Sequence, residues 1–245
     1  MKRSWRELAD LLFSRECDGC GAPLTGEGET LYCWDCLAKV AWLRMPWCAC
    51  CGDPVEGTVP AEFRCAWCAR KRPAYDWARS AARFEGVVAE SLKRLKYHGG
   101  VWTADGLGEM LYRTWRTCAP GGVPPEADCV AAVPLFRVRM RERSYNQSAL
   151  LGAALAERLG VPFREPLRRV RDTPTQTKLS ARERAANMAG AFAVRRWRKG
   201  SVAGKRIVLV DDVMTTGATV NECAKALKAA GAAAVYVLTV ARGIG

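Results

Sequence analysis

The chain has 245 residues, 49% of them hydrophobic, enough for one medium domain and a small one. No apolar run approaches the roughly 18 residues that cross a bilayer, so no membrane span is expected. With 38 Lys+Arg against 25 Asp+Glu, the net charge of +13 favours anionic partners without choosing among nucleic acid, nucleotides and phosphosugars.

The opening stretch, Met1 to Phe13, has an apolar part interrupted by Asp10 and no small-residue cleavage site. It reads as a short helix rather than a signal peptide, and the protein is expected to be cytoplasmic. Twelve cysteines in a reducing compartment argue for metal ligation over disulfides.

Nine of those cysteines fall between Cys17 and Cys68 and form four knuckles: Cys17-x-x-Cys20, Cys33-x-x-Cys36, Cys48-x-x-Cys51 and Cys65-x-x-Cys68. The gaps within the two pairs of knuckles are 12 and 13 residues, so one unit is written twice. Gly21 and Gly52 follow the first knuckle of each unit, where glycine permits the sharp bend around a metal. That phasing makes Cys48 and Cys51 ligands and leaves Cys50 a bystander.

Four thiolates at this spacing suit a closed, tetrahedral, structural zinc site, and two such zinc ions are expected. The cysteine spacings of iron–sulfur clusters do not match. Knuckles 1 with 2 and 3 with 4 is one pairing; a cross-braced pairing of 1 with 3 and 2 with 4 is the other. A stretch of about 60 residues with few core aliphatics needs the metal to fold. Trp34, Trp42, Trp47 and Trp67 are expected to pack against the knuckles, the alternative being stacking on bases. Cys118, Cys129 and Cys223 read as small core hydrophobes.

The basic linker Arg70-Lys71-Arg72-Pro73 marks a boundary, with a small domain over 1–72 and a larger one over 73–245. Beyond it Trp77–Phe84 is a predicted strand, and Val87–Leu95 and Ala104–Trp115 are predicted helices. Cys129–Pro134 is a candidate buried strand, and Ser148–Leu159 an amphipathic helix ended by Gly160. Arg206–Val210 is a further apolar strand, Thr219–Ala230 a helix stopped by Gly231, and Ala234–Val240 the last strand. Strands alternating with helices predict an α/β fold with a doubly wound parallel sheet. Its ligands would sit at the carboxyl ends of the strands.

One strand end is unusually informative. Ile207-Val208-Leu209-Val210 runs into Asp211 and Asp212, then into Val213-Met214-Thr215-Thr216-Gly217-Ala218-Thr219, which opens a helix. Backbone N–H groups of Thr216 to Thr219 at a helix N-terminus make an anion site, and Gly217 lets a phosphate approach closely. The two carboxylates beside it suit sugar hydroxyls, so the pattern predicts a ribose 5-phosphate site. No lysine follows the glycine, which separates this loop from a nucleoside-triphosphate P-loop. An ordinary capped turn would not explain two adjacent carboxylates at a buried strand end.

This segment resembles the phosphoribosyl pyrophosphate motif of type I phosphoribosyltransferases, and the chain from Cys17 to Arg242 resembles the ComF (ComFC-like) family. The matching residues, in order, are the double zinc ribbon, Leu95-Lys96, Val133-Pro134-Leu135 and Arg143-Ser144-Tyr145-Asn146-Gln147. Gln176, Leu179, Arg184, Asn187 and Phe192 follow, and the acidic motif comes last. Ser144 and Tyr145 replace the usual Gly-Phe.

The resemblance implies that the segment after Pro134 and Leu135 is a loop that binds pyrophosphate. Arg137, Arg139, Arg141 and Arg143 supply cationic donors there, and Arg139 and Arg143 match the family spacing best. It also implies that Asp172–Asn187, with Gln176, Arg184 and Asn187, is a flap that shields the reacting centre from water. His98, the single histidine, reads as a surface turn rather than a general base.

Two functional readings follow from the resemblance. In the first, the protein binds phosphoribosyl pyrophosphate with Mg²⁺ as a phosphoribosyltransferase, its acceptor unspecified by any segment. Asp211 and Asp212 then hold the ribose hydroxyls, and Thr215, Thr216, Gly217, Ala218 and Thr219 the 5-phosphate. In the second, it is a non-catalytic accessory of DNA uptake that binds single-stranded DNA or a helicase, with the pocket as a sensor.

Overall fold

The computed structural model describes residues 16–24, 31–97, 99–171 and 188–243. The expected opening helix Met1 to Phe13, His98 and the flap residues Gln176, Arg184 and Asn187 lie outside the described residues.

The core is a five-stranded, all-parallel sheet in the order β1-β7-β6-β2-β3. Its strands are β1 (Trp77–Arg83), β2 (Cys129–Ala132), β3 (Phe163–Arg164), β6 (Arg206–Met214) and β7 (Ala234–Arg242). A separate antiparallel pair is formed by β4 (Leu167–Arg169) and β5 (Phe192–Val194). The central strand β6 is buried on both faces from Ile207 to Val210, as a parallel strand covered by helices must be.

The long helices packed on the sheet each carry an apolar stripe toward it. In α4 (Thr103–Thr117), Leu107, Met110, Leu111 and Trp115 recur at helical spacing and are buried. They pack on one face with α3 (Gly86–Tyr97) and α6 (Gln147–Leu159), through Leu92, Leu95, Leu151 and Leu155. On the other face α7 (Ala218–Ala229) buries Val220, Cys223, Ala224 and Leu227. Helices on both faces of a parallel sheet make this the doubly wound α/β fold that the alternation predicted. Among the described residues, no helix is long and apolar enough to cross a membrane.

The strands and helices predicted from periodicity fall within a few residues of their expected bounds. Two differences matter. The segment Arg137–Arg143, expected as a loop, is a short helix, α5. Strand β6 was expected to end at Val210 but runs on to Met214, because β7 extends to Arg242 and keeps pairing beside it, Met214 opposite Arg242.

The N-terminal ribbons are built onto this sheet. Cys17, Tyr32, Cys36 and Val40 join the core on one face, whereas Cys48, Cys50, Cys51 and Cys68 join the core on the other. The chain between them crosses the edge strand β1 and pairs with it: Arg83 N–H donates to Ala41 O at 2.8 Å and Leu43 N–H to Ala81 O at 3.0 Å. Ala78 N–H likewise donates to Cys50 O at 2.8 Å. The ribbons thereby cover an edge that would otherwise expose unpaired backbone groups. Gly52 is needed at this junction twice over, since its φ is +68° and a Cβ would stand 2.6 Å from Ala78 O.

Candidate functional site

The cysteines assemble as two separate quartets, Cys17 with Cys20, Cys33 and Cys36, and Cys48 with Cys51, Cys65 and Cys68. All ligand atoms within a quartet lie within 4.8 Å of one another, so knuckle 1 pairs with 2 and 3 with 4. The local hydrogen bonds repeat the duplication seen in the sequence. Gly21 N–H donates to Cys17 O and Gly52 N–H to Cys48 O, at 2.8 and 2.9 Å. Cys33 N–H points at Cys17 Sγ (3.2 Å) and Cys65 N–H at Cys48 Sγ (3.3 Å).

Zinc fits this donor set. Tetrahedral zinc–sulfur bonds of ~2.3 Å place sulfurs about 3.8 Å apart. The Cys20–Cys33 and Cys51–Cys65 sulfur pairs are at 3.6 and 3.8 Å. Cys50 is buried but belongs to neither quartet. Of the ribbon tryptophans, Trp42 and Trp47 are partly covered, the latter facing the Arg79 guanidinium at 5.0 Å. Trp34 and Trp67 depart from the packing expected of them, at 86% and 42% exposed, because the first turns of the short helices α1 (Trp34–Ala38) and α2 (Ala66–Arg70) present them to solvent.

The acid pair sits within β6, three and two residues before its end, and both carboxylates are buried. Asp211 Oδ1 accepts from Ser148 Oγ at 2.8 Å and from the Asp212 N–H at 3.0 Å. Asp212 Oδ1 accepts from Val213 N–H at 2.8 Å, while Oδ2 forms an ion pair with Lys96 Nζ at 2.5 Å. The sequence marked Lys96 only as part of a pattern, and nothing in it singled out Ser148.

Burial pushes the Asp211 carboxyl up to about 7; the neighbouring Asp212 charge adds to this, against the hydrogen bonds from Ser148 and the Asp212 amide. The group therefore contributes stability that is fully present below its ordinary value of 3.8 and is lost as pH rises through about 7. Asp211→Asn removes the ionisation and keeps the Oδ1 acceptor. Its melting temperature should match the parent at pH 4, rise above it by several degrees as pH approaches 7, and level off beyond that. A difference that stays constant across that range would contradict the assignment.

The loop after β6 turns at Gly217, with φ +75°, and α7 starts at Ala218. Gly217 has no side chain with which to cap the helix, and first-turn amides without an N-cap acceptor favour an anion. Thr216 Oγ1 takes one of them, from Ala218 N–H at 3.4 Å. A Cβ on Gly217 would meet the flexible tip of Met214, Cε at 2.7 Å, so it is the positive φ that calls for glycine here.

Beyond β2, Val133 N–H still donates to Val210 O at 3.0 Å; Pro134 and Leu135 then carry the chain away from the sheet. In α5, Arg139 and Arg143 stand one helical turn apart and line one cavity of about 560 Å³. Lys96, Tyr97, Glu142, Ser144 and Tyr145 share its wall, and Arg141 does not. The short helix, absent from the sequence reading, is what selects two of the arginines.

Arg143 is held by Gln147 Oε1 (3.2 Å), by the Tyr97 hydroxyl (3.3 Å) and over the Tyr97 ring at 4.8 Å. The residues that follow form its scaffold. Ser144 turns the chain with φ 64°, the left-handed conformation for which glycine is best suited, at a cost of about 1 kcal/mol. Tyr145 Oη donates to Leu95 O at 2.6 Å. Asn146 caps α6 through Ser148 N–H (3.1 Å) and donates to Val133 O (3.0 Å). Asn146 thus ties the arginine helix to the end of β2.

Lys96 is the common member of the two halves, paired with Asp212 on one side and lining the arginine cavity on the other. The arrangement places paired carboxylates, a glycine-opened helix N-terminus and a cluster of three cations around one strand end. That set can bind a polyhydroxylated, multiply phosphorylated ligand.

Residues 146–244 match the phosphoribosyl transferase domain family, and residues 8–70 match the double zinc ribbon domain family. The chain is 30% identical over 211 residues to competence protein F of Haemophilus influenzae, covering 86% of this chain and 90% of that protein. It is 32% identical over 222 residues to DNA utilization protein YhgH of Salmonella typhi, covering 86% of this chain and 96% of that one. With competence protein ComFC of Bacillus subtilis it shares 27% identity over 229 residues, 93% of this chain and 90% of the other.

Proposed function

The chain belongs to the ComF (ComFC-like) family, and from that premise we propose that it binds phosphoribosyl pyrophosphate or ribose 5-phosphate together with Mg²⁺ and acts in DNA uptake. The observation that carries this reading is the junction of the buried acid pair with the arginine cavity through Lys96. Asp211 and Asp212 hold the ribose hydroxyls, directly or through metal-bound water. The loop from Thr215 through Thr216, Gly217 and Ala218 to Thr219 grips the 5-phosphate. Arg139 and Arg143, presented after the Pro134-Leu135 turn, take the diphosphate. Gln176, Arg184 and Asn187, by the family resemblance, would shield the reacting centre from water. Mg²⁺, when bound, supplies charge neutralisation on the diphosphate leaving group.

What the chain's own residues contribute is positioning and electrostatics. The guanidiniums of Arg139 and Arg143 stabilise charge on the departing diphosphate, and the acid pair orients the ribose. The division at residue 72 is a functional one in this reading, with residues 1–72 holding two structural zinc ions and 73–245 holding the ligand. The relatives named for competence and DNA utilization support the cellular setting. A second reading, a non-catalytic accessory that binds single-stranded DNA or a helicase, is favoured by one observation, the outward-facing Trp34 and Trp67 on a strongly basic chain.

Arg139 and Arg143 provide the test of the pyrophosphate assignment. Arg139→Ala or Arg143→Ala should weaken phosphoribosyl pyrophosphate by about tenfold or more, the worth of a charge-assisted contact, and ribose 5-phosphate much less. Calorimetric titration with both ligands decides it. Equal losses for the two would place the diphosphate elsewhere.

A further inference from the structure

Lys96 stands where α3 ends, and its surroundings give it two destinations. Its ammonium lies 2.5 Å from Asp212 Oδ2, and its side chain is only 18% exposed. The same residue lines the cavity of Arg139 and Arg143, where Glu142 is the single acidic residue among the described residues of the wall. The end of α3 is fixed from behind by the first ribbon: Tyr32 Oη is 2.8 Å from Ser91 Oγ, and Arg94 pairs with Asp18 at 3.5 Å. It is fixed in front by Tyr145, which donates to Leu95 O. The backbone that carries Lys96 is therefore anchored, while its four-carbon stem leaves the ammonium free to swing.

Resting on the ribose-phosphate reading above, we infer that Lys96 is an exchange cation that couples the two halves of the site. Without ligand it neutralises Asp212, whose burial beside Asp211 would otherwise be costly. When sugar hydroxyls or a divalent cation engage Asp212, the ammonium is released and becomes the third positive group facing the diphosphate. Filling the acid half thus strengthens binding in the arginine half, and by linkage the reverse holds equally. Lys96 is a ligand-binding residue in this account, beyond its part in the fold.

The test is calorimetric titration of inorganic pyrophosphate without metal into the parent, Lys96→Gln, Asp212→Asn and the double variant. Lys96→Gln should cost about tenfold in the Asp212→Asn background, and less in the parent, where Asp212 still holds the ammonium. Asp212→Asn should bind several-fold more tightly than the parent, because its ammonium is already free. That gain should largely vanish in the double variant, as coupled residues require. If Lys96→Gln does not fold, the neutral pair in the double variant still allows comparison with Asp212→Asn. Equal pyrophosphate binding by Asp212→Asn and the double variant, or a gain of equal size with and without Lys96, would overturn the coupling while leaving the ribose-phosphate reading intact. A parent that binds neither pyrophosphate nor ribose 5-phosphate would overturn that reading, and the coupling with it.

Discussion

Cys48→Ser should cost the protein most of its thermal stability and one of two bound zinc ions. Structural zinc sites contribute on the order of 10 kcal/mol to the folding of the segment that holds them. Here the loss would not stay local. Cys48, Cys51 and Cys68 are buried in the same core as Tyr75, Ala78 and Val237. Arg242, at the end of β7, donates to Cys51 O and to Asp53, both at 2.8 Å. Unfolding the second ribbon therefore uncovers the edge strand and the strand next to the acid pair. A fall in Tm of about 10 °C or more is expected, equivalent to roughly 3–5 kcal/mol in a chain of this size. Cys50→Ser should change it little, since that thiol lies outside the quartet. Metal analysis should find about two zincs per chain in the parent, four thiolates to each. Protein purified without chelator and free of zinc would remove the claim.

The second large effect concerns ligand binding. Replacing Asp211 and Asp212 together by Asn keeps the shape and the acceptor oxygens but removes the charge. Lys96, 18% exposed, can then turn toward solvent, so no buried ion is stranded. The fold should be as stable as the parent or slightly more so, as expected where carboxylates have been held together for function. Affinity for phosphoribosyl pyrophosphate in the presence of Mg²⁺ should fall by about a hundredfold, since two charged contacts to the ribose and metal are lost together. An early-melting double variant would instead make the pair structural.

Much of the fold was legible because its period is strong. Helices such as α4 and α6 bury long apolar stripes, and Ile207–Val210 of β6 and Ala234–Leu238 of β7 are continuous apolar runs, so both kinds of element announce themselves. The cysteine quartets were legible because spacing alone nearly specifies them. What was missed has a physical reason in each case. Helix α5 is rich in arginine and has no apolar stripe, so its helicity comes from where Phe136 and the left-handed Ser144 place its ends. The strands β3, β4 and β5 span only two or three residues, too few to show alternation. The union of the ribbons with the sheet depends on contacts such as Ala41 with Arg83, which no local pattern records. The same holds for the site: the acid pair was visible as a motif, but Ser148 and Lys96 reach it from 63 and 116 residues away along the chain.

The central claim is that one strand end binds a phosphoribosyl diphosphate through an acid pair and a cationic cavity. Calorimetric titration of phosphoribosyl pyrophosphate into the intact, zinc-loaded chain, with and without Mg²⁺, tests it most directly. Saturable binding near one ligand per chain is predicted, strengthened by Mg²⁺ and weakened about a hundredfold in the Asp211→Asn/Asp212→Asn variant. No binding in either condition, or binding that the variant retains in full, would contradict it.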